Sequence, residues 1–189
     1  MNEIIFTVSS IAAILLIFIS VASLLKPSFV FFPPPSRESW QYRIFWLLFR
    51  VMIIGLAVLS FTSYNDTPVF SYSVRFFIWL PLFILGFGLA SYISLKLGWA
   101  NAHGEAKGLV VSGWYKWSRN PIYVCSLFAM LGLGLFINST YVYILLGLWA
   151  VMYIVAPFIE EKWLEKRYAQ EFLSYKARVP RFFGIPGKT

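Results

Sequence analysis

The chain has 189 residues, 59% hydrophobic and 13% charged, with a formal net charge of +8. Soluble domains average roughly 45–50% apolar and about 25% charged residues, so a water-soluble fold is excluded, and apolar runs of spanning length make this an integral membrane protein. A lone cysteine, Cys125, excludes an internal disulfide, and basic clusters separated by Trp, Phe and apolar runs point to anionic head groups, with no nucleic-acid partner.

The first apolar segment, residues 4–25, carries no charge and is long enough to cross a bilayer. The opening MNEII lacks a basic start and no small-residue cleavage site follows, so the segment reads as a span and not as a signal peptide. Residues 26–41 form a connector, because Pro27 and the run Pro33-Pro34-Pro35 cannot continue a helix. Its aromatic residues Phe29, Phe31, Phe32 and Trp40 are expected to lay it along the membrane interface. Segment two, residues 42–63, has Arg43 and Arg50 near one end, where their stems can snorkel to head groups. Asn65-Asp66-Thr67-Pro68 then makes a short turn.

Segment three, residues 71–95, contains Pro81, which should kink the helix and free a carbonyl. Arg75, near its start, reads as an interface residue. Residues 96–119 are the longest polar interval and include the only histidine, His103, read as a loop residue. Segments four (121–137) and five (140–158) are separated only by Asn138 and Ser139, which predicts a tight antiparallel hairpin. Seventeen residues rise only about 26 Å, which suits a helix ending in the interface. Gly132, Gly134 and Gly147 are expected to allow close contact across the hairpin.

The charges support five spans. Lys26, Arg37 and Arg43 gather in the first connector, Lys96, Lys107, Lys116 and Arg119 in the interval before segment four, and Lys162, Lys166, Arg167, Lys176, Arg178, Arg181 and Lys188 in the tail. The opposite ends offer Glu3, Asp66, Asn138 and Ser139, with no Lys or Arg in the turns. The positive-inside rule then places the amino terminus outside and the basic loops and tail in the cytoplasm, with the inner or plasma membrane as the location if the protein is bacterial. The tail is not a sixth span: Leu164, Tyr168, Phe172 and Tyr175 recur at helical spacing among charges, predicting a carboxy-terminal amphipathic helix over 160–177 that lies at the interface or folds against the bundle. The fold class expected is therefore all-α, about five transmembrane helices with an amphipathic cytoplasmic helix. Residues 1–95 form the substrate-side helices, and residues 96–189 the cofactor-binding loop, hairpin and tail.

The stretch LVVSGWYKWSRNPIY, residues 109–123, departs from this pattern. Ser112-Gly113 gives a turn before Trp114-Tyr115-Lys116-Trp117, and Asn120-Pro121 is a helix-start signal, with asparagine as cap and proline at the first helical position. The start of segment four would attract a carboxylate or phosphate, and Arg119 beside it could grip the same anion. Simple anchoring of Tyr115, Trp117 and Arg119 to the interface is the competing account. Glu160-Glu161 follows segment five directly; such a pair needs hydration or a positive partner, and Arg119 or a cationic ligand could supply it. Cys125 reads as packing, one histidine and one cysteine make no metal site, and there is no GxxxxGK or GxGxxG phosphate loop.

LVVSGWYKWSRNPIY, a helical hairpin, and then EEKWLEKRYAQEFLSYKARVPRF together resemble the membrane family of isoprenylcysteine carboxyl methyltransferases and phospholipid methyltransferases. The likeness covers residues 96–183 and follows the family order LV-x-x-G-x-Y-x-x-x-R-H-P-x-Y, E-E-x-x-L, spaced aromatics and V-P-R-F. It implies S-adenosyl-L-methionine as cofactor, with Tyr115, Arg119, Asn120, Pro121 and Tyr123 in the first cofactor motif, Glu160 and Glu161 in the second, and Tyr175 and Arg181 continuing it. Arg119 and Glu160 are the implied catalytic residues, with Arg119 on the cofactor carboxylate and Glu160 or Glu161 on its amino group or sulfonium. The implied partners are membrane lipids and a lipid-like substrate, methylated on a carboxylate, thiol or amine, foremost by isoprenylcysteine-type carboxyl O-methylation. Asn120 stands where the family usually has histidine, and asparagine cannot act as a general base. Two other readings stay open. VSGWY with NPIY also resembles the NADPH-binding end of sterol reductases, and a membrane scaffold or transporter would use the same arginines as anchors.

Overall fold

A computed structural model describes residues 1–26, 29–66, 72–98 and 108–184. Pro27, Thr67, Pro68, His103, Glu105, Lys107 and residues 185–189 lie outside the described residues. The described residues are helical with no strand: α1 is Asn2–Leu25, α2 Trp40–Thr62, α3 Tyr72–Leu97, α4 Pro121–Ile137 and α5 Thr140–Arg178. Four of these are long and apolar enough to cross a membrane, and α4 is the shorter apolar helix. The protein is an integral membrane helical bundle. Outward-facing Ile4, Phe18, Leu47, Phe61, Phe77 and Leu85 are more than half exposed, as lipid-facing side chains are where bilayer replaces water.

Polar contacts tie the helix ends together on each side. At one end Lys162 Nζ donates to the Leu24 carbonyl, in the last turn of α1 (3.1 Å). At the other end Arg75 is 3% exposed and is not an interface residue. Its Nε and Nη2 donate to the Phe136 carbonyl (3.0 and 2.6 Å) and its Nη1 to Asn65 Oδ1 (2.6 Å). A guanidinium there satisfies a carbonyl left free by the end of α4 and meets the negative end of its dipole. Asn138, in the left-handed conformation at φ 62°, turns the hairpin, and both it and Ser139 are fully buried beneath this network. Ser63 and Ser139 share a hydroxyl hydrogen bond of 2.7 Å.

Two expectations about packing change. Gly132 does not face α5. A Cβ there would lie 2.5 Å from the Phe83 nitrogen and 2.8 Å from the Trp79 carbonyl, and one on Gly86 would lie 2.7 Å from the Ala129 nitrogen. These two glycines therefore set the close crossing of α3 and α4, whereas Gly134 meets Leu146 and Tyr143 of α5 and Gly147 faces open space. Pro81 comes just after a wider π-turn, Arg75–Trp79, where the Leu80 N–H reaches back five residues to the Arg75 carbonyl. That turn accommodates a residue that can neither donate nor fit against the preceding turn.

The amphipathic tail is helical as expected, and its first part continues the spanning part of α5 directly. Residues 140–158 form the spanning part, and the charged part runs on to Ala169, where φ is 40° and ψ −118° and the helix breaks. Phe172, Tyr175 and Val179 beyond the break are buried against Leu109, Tyr115, Leu164 and Tyr168. The expected apolar stripe is thus spent on the segment that precedes α4.

Candidate functional site

The site is assembled by stitching residues 115–120 to residues 175–181. Gly113, at φ 62°, opens a 3-10 turn, Gly113–Lys116, that brings the Tyr115 carbonyl to the Tyr175 hydroxyl, which donates to it at 2.7 Å. The Arg119 N–H donates to the Pro180 carbonyl (2.9 Å), and the Ser118 hydroxyl and Asn120 Nδ2 donate to the Arg181 carbonyl (3.3 and 3.0 Å). Asn120 is the residue before α4 as predicted, but its side chain makes no cap. Its amide is committed to the tail instead, and no side chain among the described residues caps the first turn of α4.

Glu161 is the charge centre of this junction. It accepts from Arg119 Nε and Nη2 (3.2 and 2.8 Å) and from Arg181 Nε and Nη2 (both 2.8 Å). The side chains of Glu161 and Arg119 are 6% and 8% exposed, that of Arg181 30%. Arg119 Nη1 also donates to the Lys176 and Val179 carbonyls, closing the end of α5. Burial alone would raise the Glu161 carboxyl, but the hydrogen bonds from Arg181 and Arg119 outweigh it and hold the carboxyl below its ordinary range. The Arg181 guanidinium is raised by its hydrogen bond to Glu161 and stacks over the Phe158 ring at 4.0 Å.

Glu160, one residue earlier, is in the opposite situation. Its carboxylate accepts a 2.5 Å hydrogen bond from the Tyr123 hydroxyl and has no cationic partner among the described residues. Burial pushes its carboxyl up to about 7; the Tyr123 hydrogen bond opposes this and the Glu161 charge adds to it. Consecutive glutamates thus face different surroundings because successive helical positions are 100° apart. Glu161 turns to the junction and Glu160 to a cavity.

That cavity has a volume of about 480 Å3. Tyr115, Arg119, Asn120, Tyr123, Glu160, Glu161 and Tyr175 line it, whereas Pro121 is buried at the first position of α4 and Arg181 reaches the site through Glu161 and Asn120. Burial raises the hydroxyl pKa of both Tyr115 and Tyr175, so both remain neutral donors. Arg50 is exposed and outside the cavity, and Trp117 is 59% exposed.

The opposite wall was not anticipated. Phe32, Pro33 and Pro34 of the first connector and Phe45, Trp46 and Phe49 of α2 line it. The connector is not merely laid on the interface: Phe31 is fully buried, and Ser23 Oγ both donates to the Phe29 carbonyl and accepts from the Phe31 N–H. The sequence signal was present, since prolines that end a helix between two spans leave a short rigid chain with aromatic side chains to bury. Which side they cover is not a property of that stretch alone.

The sequence profile of the phospholipid methyltransferase family matches residues 74–171, just over half of the chain. This chain belongs to that family. The matched residues contain α3 from Val74 onward, α4, Arg119, Glu160 and Glu161, while α1, α2 and the first connector lie outside. Among curated proteins it is similar to the cobalt-zinc-cadmium resistance protein CzcN of Cupriavidus metallidurans, 36% identical over 105 residues, or 55% of this chain. The matched part spans about half (48%) of that relative's length. No solved structure matches the chain.

Proposed function

We propose that this family member is a membrane methyltransferase that uses S-adenosylmethionine to methylate an oxygen, sulfur or nitrogen of a lipid-like acceptor. The observation that carries the reading is Glu160: a carboxylate with no cationic partner among the described residues, in an aromatic-walled cavity, within the residues the family profile matches. The volume lies in the roughly 300–1,000 Å3 range of small-molecule sites, and a cationic cofactor fits a wall of rings with the Glu160 carboxylate beside the arginine-paired Glu161. When bound, the cofactor supplies a methyl on a sulfonium: the acceptor's lone pair forms the new bond as the C–S bond breaks, its pair remaining on sulfur.

In this reading Glu160 meets the cofactor's cationic groups, and Tyr115 and Tyr123 pack around it. The uncapped first turn of α4 receives its carboxylate. Arg119 is a positioning residue rather than a ligand, because the junction already occupies its donors. Asn120 likewise holds the tail and serves no proton transfer. The domain assignment follows: residues 96–189 carry the cofactor side and residues 1–95 the acceptor side, with the basic ends of the helices in the cytoplasm. Isoprenylcysteine-type carboxyl O-methylation is one member of the class. A carboxylate at the site and the commitment of Arg119 favour it no more than a thiol or amine acceptor.

The test is calorimetric titration of detergent-solubilised protein with S-adenosylmethionine, S-adenosylhomocysteine and NADPH. Saturable binding of the first two is expected. Glu160→Gln should weaken the sulfonium form about 10-fold or more, as loss of a hydrogen bond to a charged group does, and more than it weakens the thioether form. NADPH-selective binding, or no binding by folded protein, would remove the proposal.

A further inference from the structure

The segment that precedes α4 has two faces, and the cavity uses one of them. In a 3-10 turn, side chains three residues apart lie on the same side. Trp114 and Trp117 are so spaced, and the Trp117 N–H donates to the Trp114 carbonyl (3.1 Å). Tyr115, between them, lines the cavity, and its carbonyl is held by the Tyr175 hydroxyl. The interfacial anchoring expected of this stretch is therefore divided. Tyr115 and Arg119 serve the cavity and the junction, whereas Trp114 (46% exposed), Lys116 and Trp117 are exposed and do not line the cavity.

The junction brings exposed residues of the tail beside this turn. Ser118 donates to the carbonyl of Arg181, two residues before Phe183, which is 86% exposed. Arg178, also exposed, donates back to the Ser174 carbonyl and directly precedes Val179, whose carbonyl accepts from Arg119. The height of these residues is set by α4. Its 17 residues rise about 26 Å, less than the roughly 30 Å hydrocarbon core, and so short a helix draws its flanking residues into the head-group layer. Tryptophan is favoured there, with its ring at the apolar boundary and its N–H toward water. Charge decides which head group. In residues 108–120 and 159–184 the exposed cations are Lys116, Lys162, Lys166, Arg167 and Arg178, against Glu171 as the exposed anion, so this end of the bundle favours anionic over zwitterionic lipid.

Resting on the methyltransferase reading for its cofactor half, we propose that Trp114, Lys116, Trp117, Arg178 and Phe183 form a docking face for anionic phospholipid, and that lipid seated there tightens cofactor binding in the cavity. The turn itself is the link. Holding Trp114 and Trp117 in the head-group layer fixes the backbone that carries Tyr115 into the cavity, and steadies Ser118, Arg119 and Asn120 where they clasp the tail. Coupling between two sites is reciprocal, so bound cofactor raises the affinity for the lipid by the same factor.

The experiment places the full chain in nanodiscs of phosphatidylcholine, with or without one-third phosphatidylglycerol, one lipid at a time carrying brominated chains that quench tryptophan. The emission due to Trp114 and Trp117 is the difference from the Trp114→Phe/Trp117→Phe variant. Brominated phosphatidylglycerol is expected to quench that emission about 5-fold more effectively per mole than brominated phosphatidylcholine, the factor that one basic residue near an anionic surface supplies. In Lys116→Gln/Arg178→Gln the two lipids should quench alike, with an unchanged thermal midpoint in phosphatidylcholine showing that the variant is folded. S-adenosylhomocysteine carries no net charge and so is indifferent to surface potential; it should bind about 5-fold more tightly when phosphatidylglycerol is present, and equally in both discs in the Lys116→Gln/Arg178→Gln variant. Equal quenching by the two lipids in the unaltered protein overturns the proposal. So does a preference that survives in that variant, or cofactor affinity that ignores phosphatidylglycerol. Absence of quenching together with a doubled particle mass in detergent would mean that a second copy covers the face, which also overturns it. If S-adenosylhomocysteine binds in neither disc the methyltransferase reading falls, whereas the quenching comparison still decides the docking face.

Discussion

Replacing Glu161 with glutamine tests whether the junction of residues 115–120 with the tail is held by charge. The substitution keeps the shape but removes the single anion that accepts four hydrogen bonds from Arg119 and Arg181. Arg119 would stay buried among carbonyls with no negative partner, since its own exposure is only 8%. Breaking one side of a buried ion pair costs about 3–5 kcal/mol. At about 2–4 °C per kcal/mol for a chain of this size, the unfolding midpoint should fall by roughly 6–20 °C. Differential scanning fluorimetry in detergent, followed by tryptophan emission or by a thiol-reactive dye at the free Cys125, reads this directly. Limited proteolysis should show earlier cleavage near residues 169–184, because both arginines fasten that segment. A midpoint within 2 °C of the unaltered protein, with unchanged proteolysis, would refute the argument that Glu161 holds the junction.

Other substitutions distinguish the remaining contacts. Glu160→Gln should stabilise the protein at pH 8. A carboxyl raised from 4.5 to about 7 favours folding least above pH 7, so the gain in midpoint should shrink as pH falls toward 4.5. For the same reason S-adenosylmethionine affinity of the unaltered protein should fall below pH 7, toward tenfold per pH unit, and this dependence should vanish in Glu160→Gln, as followed by calorimetry from pH 5.5 to 8. Gly132→Ala should lower stability by about 1–3 kcal/mol through overpacking against the α3 backbone, while Gly147→Ala, which faces open space, should leave the thermal midpoint unchanged or slightly raised. Arg75→Gln should destabilise by about 2 kcal/mol, because the partly buried Phe136 carbonyl loses a charged donor; denaturation that matches the unaltered protein would contradict its capping role.

What the sequence determined by itself was everything that depends on local composition. Runs of apolar residues set where α1 to α5 lie, because a helix that satisfies its own backbone is what a bilayer permits. The placement of prolines set the connector and the start of α4, and the spacing of Leu164, Tyr168, Phe172 and Tyr175 set a buried stripe. The order of the short motifs around the hairpin was specific enough to indicate the family. The tertiary structure decided how like residues are divided. Glu160 and Glu161 are adjacent and chemically identical, and only the position of Arg181 and Tyr123 on other segments makes one a structural anion and the other a cavity acid. Arg75, read as an anchor, became a helix cap because the end of α4 arrives beside it. Gly132 met α3 instead of α5 because contact direction depends on where three helices cross. The connector became a cavity wall for the same reason: residues far apart in sequence acquire a shared surface only once the bundle has closed around them.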